Sequence, residues 1–90
     1  MSKDKVLQVI GIYRDRFVDM GIGLADHSHS DKLHSPESGL KHCHGMLDKI
    51  EEFVRQDRME KVFRWLGFIQ GFLWGQGIYT LDELKEHNRP

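Results

Sequence analysis

Apolar residues recur along this chain at the three-and-four spacing of amphipathic helices, and no stretch of useful length alternates as a strand would. The first run, from about Lys3 to Met20, puts Val6, Val9, Ile10, Tyr13, Phe17 and Met20 on one face and stops at Gly21 and Gly23. A polar stretch, GIGLADHSHSDKLHS, covers residues 21–35 and is longer than most helix–helix loops. Ser35 then offers an N-cap, and Pro36 suits the first helical position, where its missing N–H is not needed. The second run extends to about Gln56, and Leu40, Cys43, Leu47, Ile50 and Val54 make it a packing seam. In "DRME", Asp57 is the expected N-cap and Glu60 its capping-box partner, so a third helix runs from Arg58 to about Gly75. Thr80 and Glu83 form a second capping box, with Tyr79 and Leu84 at the staple positions, and open a short helix, LDELKEHN. The pattern predicts an all-α fold over residues 1–90 as one domain: a three-helix bundle with a short additional C-terminal helix and helix three at its centre.

Helix three carries an anomaly. Plotted at about 100° per residue, its apolar residues from Met59 to Trp74 fill roughly half the circumference, which is wider than a surface helix needs. Gly67, Gly71 and Gly75 share the remaining arc with Glu60, Arg64 and Phe68. Glu60 and Arg64 are also spaced as an i, i+4 ion pair. Each glycine lowers helix propensity by about 1 kcal/mol relative to alanine, and close approach of another backbone would offset that loss. Two explanations stand: the glycines make room for Trp65, Trp74 and the phenylalanines within one chain, or a neighbouring subunit packs against them. Leu7, Gly11 and Val18 form a second apolar flank on helix one, and patches of this kind mark contacts. A homo-oligomer, most simply a twofold dimer, is favoured, with Arg64, Trp65, Gly67, Phe68 and Gly71 as the expected interface. Gln70 falls inside the apolar arc, where its amide needs a partner: backbone, an interface, or a polar pocket with Arg64 or Tyr79.

Charge and composition narrow the classes of function. The 90 residues hold 13 Lys and Arg against 14 Asp and Glu, interspersed, so no basic stripe points to nucleic acid. A lone cysteine, Cys43, excludes an internal disulfide, and the start MSKDKVLQVIG lacks the h-region of a signal peptide, which predicts a cytoplasmic protein. The apolar run of helix three is interrupted by Arg64, Gln70 and Gln76 and is too short to span a membrane.

The segment RMEKVFRWLGFIQGFLW, followed by LDELKEHNRP, resembles the C-terminal part of a set of small uncharacterised proteins encoded by phages and prophages. The resemblance is best over residues 58–90 and weak over helix two. It brings no activity and no site residue; it implies a phage accessory protein in the bacterial cytoplasm that binds a host or phage component.

His27, His29, His34, His42 and His44 crowd around Cys43, and imidazole with thiolate is a transition-metal ligand set. On a helix His42 and His44 point about 200° apart, so they do not share an ion, and Cys43 lies on the packing seam as a small hydrophobe. His27, His29 and His34 remain the alternative metal or small-ligand residues, without an established spacing. Bundles of this kind resemble helical nucleotide pyrophosphohydrolases, which need several carboxylates converging on magnesium. Here Asp48 pairs with Glu51 and Glu83 with Glu86, and no further acidic repeat joins them. No catalytic residue and no cofactor are predicted. The expected function is a non-enzymatic module that self-associates and binds an unidentified protein partner; the alternative is a small-ligand or transition-metal binder using the histidine-rich loop.

Overall fold

Three of the four described helices open on a side-chain cap, at Ser2, Ser35 and Thr80, and three close on a left-handed residue, so local signals decide most of the places where the helices end. The computed structural model describes residues 1–26, 30 and 32–90. It contains α1 (Lys3–Asp19), α2 (Pro36–Arg55), α3 (Met59–Gly75) and α4 (Leu81–Asn88), with no strand among the described residues. Ser2 Oγ accepts from the Lys5 amide at 3.0 Å, and Ser35 Oγ from the Ser38 amide at 3.1 Å, with Pro36 opening α2. At α4 the expected capping box forms in both directions: the Glu83 amide donates to Thr80 Oγ1 at 3.1 Å and the Thr80 amide to Glu83 Oε1 at 3.0 Å.

The C-termini of α1, α2 and α3 close in one way. At α1 the Ile22 amide donates to the Phe17 carbonyl (2.8 Å) and the Gly21 amide to the Val18 carbonyl (3.0 Å), with Gly21 at φ +71°. Ile78 and Gly77 (φ +71°) repeat the pattern onto Leu73 and Trp74 at the end of α3. Arg58 and Asp57 repeat it onto Phe53 and Val54 at the end of α2. These are Schellman closures, which place one residue in the left-handed region. For α2 that residue is Asp57, at φ +58°. The expectation of Asp57 as N-cap of helix three is therefore corrected, because an N-cap needs extended backbone and Asp57 is committed to closing α2. Arg58 occupies the N-cap of α3 with no side-chain cap, and the Asp57 carboxylate meets Lys3 Nζ at 2.9 Å instead.

One buried cluster draws on all four helices, with Tyr13 and Phe17 its largest enclosed rings. The α2 seam is buried as expected, from Leu40 through Cys43, Leu47 and Ile50 to Val54. Met20 is corrected from the buried face of α1: it is the C-cap residue and 37% exposed. Helix α2 packs against both α1 and α3, while α4 rests on α1, so α2 and not α3 is the shared element. The reason lies in width. Helix α3 buries only Val62, Leu66, Ile69 and Leu73, a narrow stripe, whereas α2 buries eight positions including Gly39 and His44. No helix among the described residues is long and apolar enough to cross a membrane.

Candidate functional site

The outward face of α3 is the largest unexplained feature of the fold. Opposite the four inward residues one face of the helix is turned away from α2, and at about 100° per residue Gly67, Gly71 and Gly75 line up with Arg64 and Glu60 along it. A Cβ built at any of these three glycines meets nothing within 4 Å. Phe63 (42% exposed) and Trp74 (52%) rise on one side of the valley and Phe68 (56%) on the other. The sequence pattern counted Phe63 and Trp74 with the core; both are exposed because α2 covers only the stripe from Val62 to Leu73. Among the described residues no ion pair engages Arg64 or Glu60, so the expected i, i+4 pair is not formed.

Of the five expected interface residues, Arg64, Gly67, Phe68 and Gly71 share this face, and Trp65 does not. Its indole turns toward α2, edge-on to Phe53 with ring centroids 4.9 Å apart, and Lys61 Nζ lies 5.4 Å from the ring. Trp65 therefore walls two adjoining clefts at the α2–α3 seam. One, of about 420 Å³, is lined by Leu24, Asp26, His42, Met46 and Lys49; the other, of about 370 Å³, by His42, Met46, Arg64 and Phe68. The glycine valley and the second of these clefts meet at Phe68.

The close internal approaches fall on α2 instead. A Cβ at Gly45 would stand 2.5 Å from the Ala25 carbonyl oxygen, and one at Gly39 would collide with the Phe72 ring. The segment after α1 lies back along α2 there: the Ala25 amide donates to the Lys41 carbonyl (3.1 Å), Asp26 meets Lys49 Nζ (3.1 Å), and His44 Nδ1 donates to the Ile22 carbonyl (2.9 Å). His44 is 6% exposed, with the Phe17 ring 5.1 Å away, and acts as an internal strut. Beside it, burial pushes the Cys43 thiol up to about 12, which makes it a packing group and not a nucleophile.

Gln70 finds its partners in the chain's last turn. Its Nε2 donates to Tyr13 Oη (2.9 Å) and to Asn88 Oδ1 (2.7 Å), and Asn88 Nδ2 donates back to Gln70 Oε1 (3.2 Å). Tyr13 Oη in turn lies 3.0 Å from His87 Nδ1 and donates its hydrogen bond to that nitrogen in the tautomer that carries the ring hydrogen on Nε2. Tyr79 stands edge-on to His87 at 4.8 Å. Burial pushes the Tyr13 hydroxyl up to about 12, opposed by the Gln70 hydrogen bond. The expectation of a backbone or interface partner for Gln70, or of a polar pocket with Arg64 or Tyr79, is corrected: Gln70 ties α3 to Tyr13 of α1 and to Asn88 of α4. Sequence reasoning placed Tyr13 and Gln70 inward and missed His87 and Asn88, whose only local signal is their position on a short helix.

The remaining candidates are occupied or dispersed. Asp48 and Glu51 both close on Arg14, at 2.9 and 3.3 Å, so this carboxylate pair is an ion-pair clamp between α1 and α2. Glu83 serves the α4 cap. His34 is exposed, and His27 and His29 lie outside the described residues. Among the described residues no group of three or more His, Cys, Asp or Glu is placed to hold a metal ion. Comparison with known proteins matches no family model, no curated protein and no solved structure.

Proposed function

We infer that this chain is a non-enzymatic accessory module that self-associates through the outward face of α3, as a homodimer, and in that form binds a protein partner. On this reading three main helices form the bundle and α4 completes it. One observation carries the inference: Gly67, Gly71 and Gly75 are exposed with no neighbour, between aromatic side chains that are themselves half exposed. Three such glycines cost α3 about 3 kcal/mol of helix propensity relative to alanine, and nothing within the described chain offsets that loss. A second helix laid in the valley would do so, since glycine lets backbones and bulky side chains approach closely. The C-terminal likeness to small phage proteins supports a setting in the bacterial cytoplasm.

The test is molar mass by light scattering over about a hundredfold range of concentration, for the native chain and for Gly71→Leu. A dimer that Gly71→Leu converts to monomer without loss of helicity is the expected result. A monomer at every concentration overturns self-association.

A further inference from the structure

We propose that the second copy lies antiparallel on α3, about a twofold axis level with the Ile69–Gln70 peptide, with Arg64 of each copy seated over the C-terminal turn of the other's α3. This rests on the self-association inferred above and specifies its geometry.

The register follows from which side chains need room and which positions offer it. An axis at that level brings Gly71 against Phe68 of the second copy and Gly75 against its Arg64, while Phe72, level with Gly67, keeps its ring against Gly39 of its own α2. Gly71 and Gly75 then each receive a large group, and Phe68 and Arg64 each find a glycine. A parallel pairing does the reverse: Arg64 meets Arg64, Phe68 meets Phe68, and the glycines face one another across a void. An antiparallel axis at Gly71 sets glycine against glycine but stacks Phe68 against Trp74, holding apart the backbones that would have to meet.

Charge selects the same arrangement. Helix α3 has Glu60 in its first turn and no basic residue in its last, so its carbonyl end lacks the cation that its dipole favours. Arg64 is exposed, and no described carboxylate forms an ion pair with it. In the antiparallel pair each Arg64 supplies the missing charge to the other helix, twice by symmetry. A single pair of helices about 25 Å long sits at the low end of interface areas, so the dimer is expected to dissociate on dilution.

Disulfide trapping reads the geometry directly. In a Cys43→Ala background, Arg64→Cys and Gly75→Cys chains are mixed in equal amounts and oxidised; the mixed pair keeps one native Arg64–Gly75 contact. The expected product is the covalent heterodimer, while Arg64→Cys alone links poorly, because its two copies sit roughly 16 Å apart along the helices and a disulfide needs Cα atoms within about 7 Å. Arg64→Glu, with helicity retained, should raise the dissociation constant about tenfold or more. Efficient self-linking of Arg64→Cys would establish a parallel pair and overturn the proposal. A native dimer that neither combination traps, and that Arg64→Glu leaves unchanged, would overturn this geometry while leaving self-association in place; a native monomer would remove the self-association itself.

Discussion

On α2, a Cβ added at Gly45 would lie 2.5 Å from the Ala25 carbonyl oxygen and one at Gly39 would run into the Phe72 ring, whereas on α3 a Cβ added at Gly67, Gly71 or Gly75 meets nothing within 4 Å. The α2 glycines are six residues apart and form no motif; the α3 glycines recur every fourth residue and form an obvious one. Spacing therefore measures how much room a helix face offers. What fills the room is decided elsewhere in the chain: Ala25 and Phe72 fill it for α2, and among the described residues nothing fills it for α3.

The largest break in this contrast should come from Gly45→Val. A branched side chain there strikes a backbone carbonyl, which has no rotamer to change, so the segment from Ile22 to Asp26 must leave α2 and take the His44 and Lys49 contacts with it. Overpacking of this kind costs about 1–3 kcal/mol, and more where backbone must move; urea unfolding at low protein concentration measures it. A change below roughly 0.5 kcal/mol would mean that the segment after α1 is not held against α2.

Much of the fold was legible because helices announce their ends locally. Ser35–Pro36 and Thr80 with Glu83 sit within one turn of what they cap, and the structure places them as read. Asp57 shows the limit: D-x-x-E suits a capping box, but the same aspartate also suits a left-handed closure, and the short α2–α3 connection had room for one of the two. The centre of the bundle was misread for a related reason. Apolar width on α3 was taken for burial, yet Phe63 and Trp74 stay exposed because no helix among the described residues covers that side. Of the candidate face, Arg64, Gly67, Phe68 and Gly71 came from periodicity alone, which locates residues on a face well. Trp65 lies off that face, and only the position of Phe53 on α2 reveals which way the indole turns. The Gln70 cluster needed Asn88, 18 residues away, and Tyr13, 57 away, distances over which pattern carries no information.

A middle-sized effect, about 1–2 kcal/mol by pH 10 at roughly 1.4 kcal/mol per pH unit, tests how tightly the α2 side is closed. Cys43 lies between the two α2 glycines at 1% exposure, and its thiol is raised from 9.0 to about 12; Tyr13, packed from α1, is raised from 10.0 to about 12. Both groups release their protons more readily when unfolded. Their stabilising contribution is therefore complete below pH 9, where neither ionises in either state. It declines as the unfolded thiol and then the unfolded phenol ionise, and is lost as pH rises through about 12. Denaturation curves from pH 8 to 10 should fall for the native chain and fall less for Cys43→Ala, the difference in slope isolating the thiol. Equal slopes would show the thiol open to water, and the α2 side looser than its packing indicates.

The smallest effect separates the two sides most cleanly, because its sign depends on concentration. Gly67→Ala adds a methyl group to open space and removes a flexible residue from mid-helix, so the isolated chain should gain up to about 1 kcal/mol. Where copies associate through α3, that methyl enters the valley, and the gain should shrink or reverse as protein concentration rises. Urea midpoints at low and high concentration, for the native chain and the variant together, measure both halves of the argument. A gain that holds at every concentration would leave α3 with an open face that nothing covers. A loss even in dilute solution would mean that another part of the chain occupies the valley, and the distinction between the glycines of α2 and α3 would collapse.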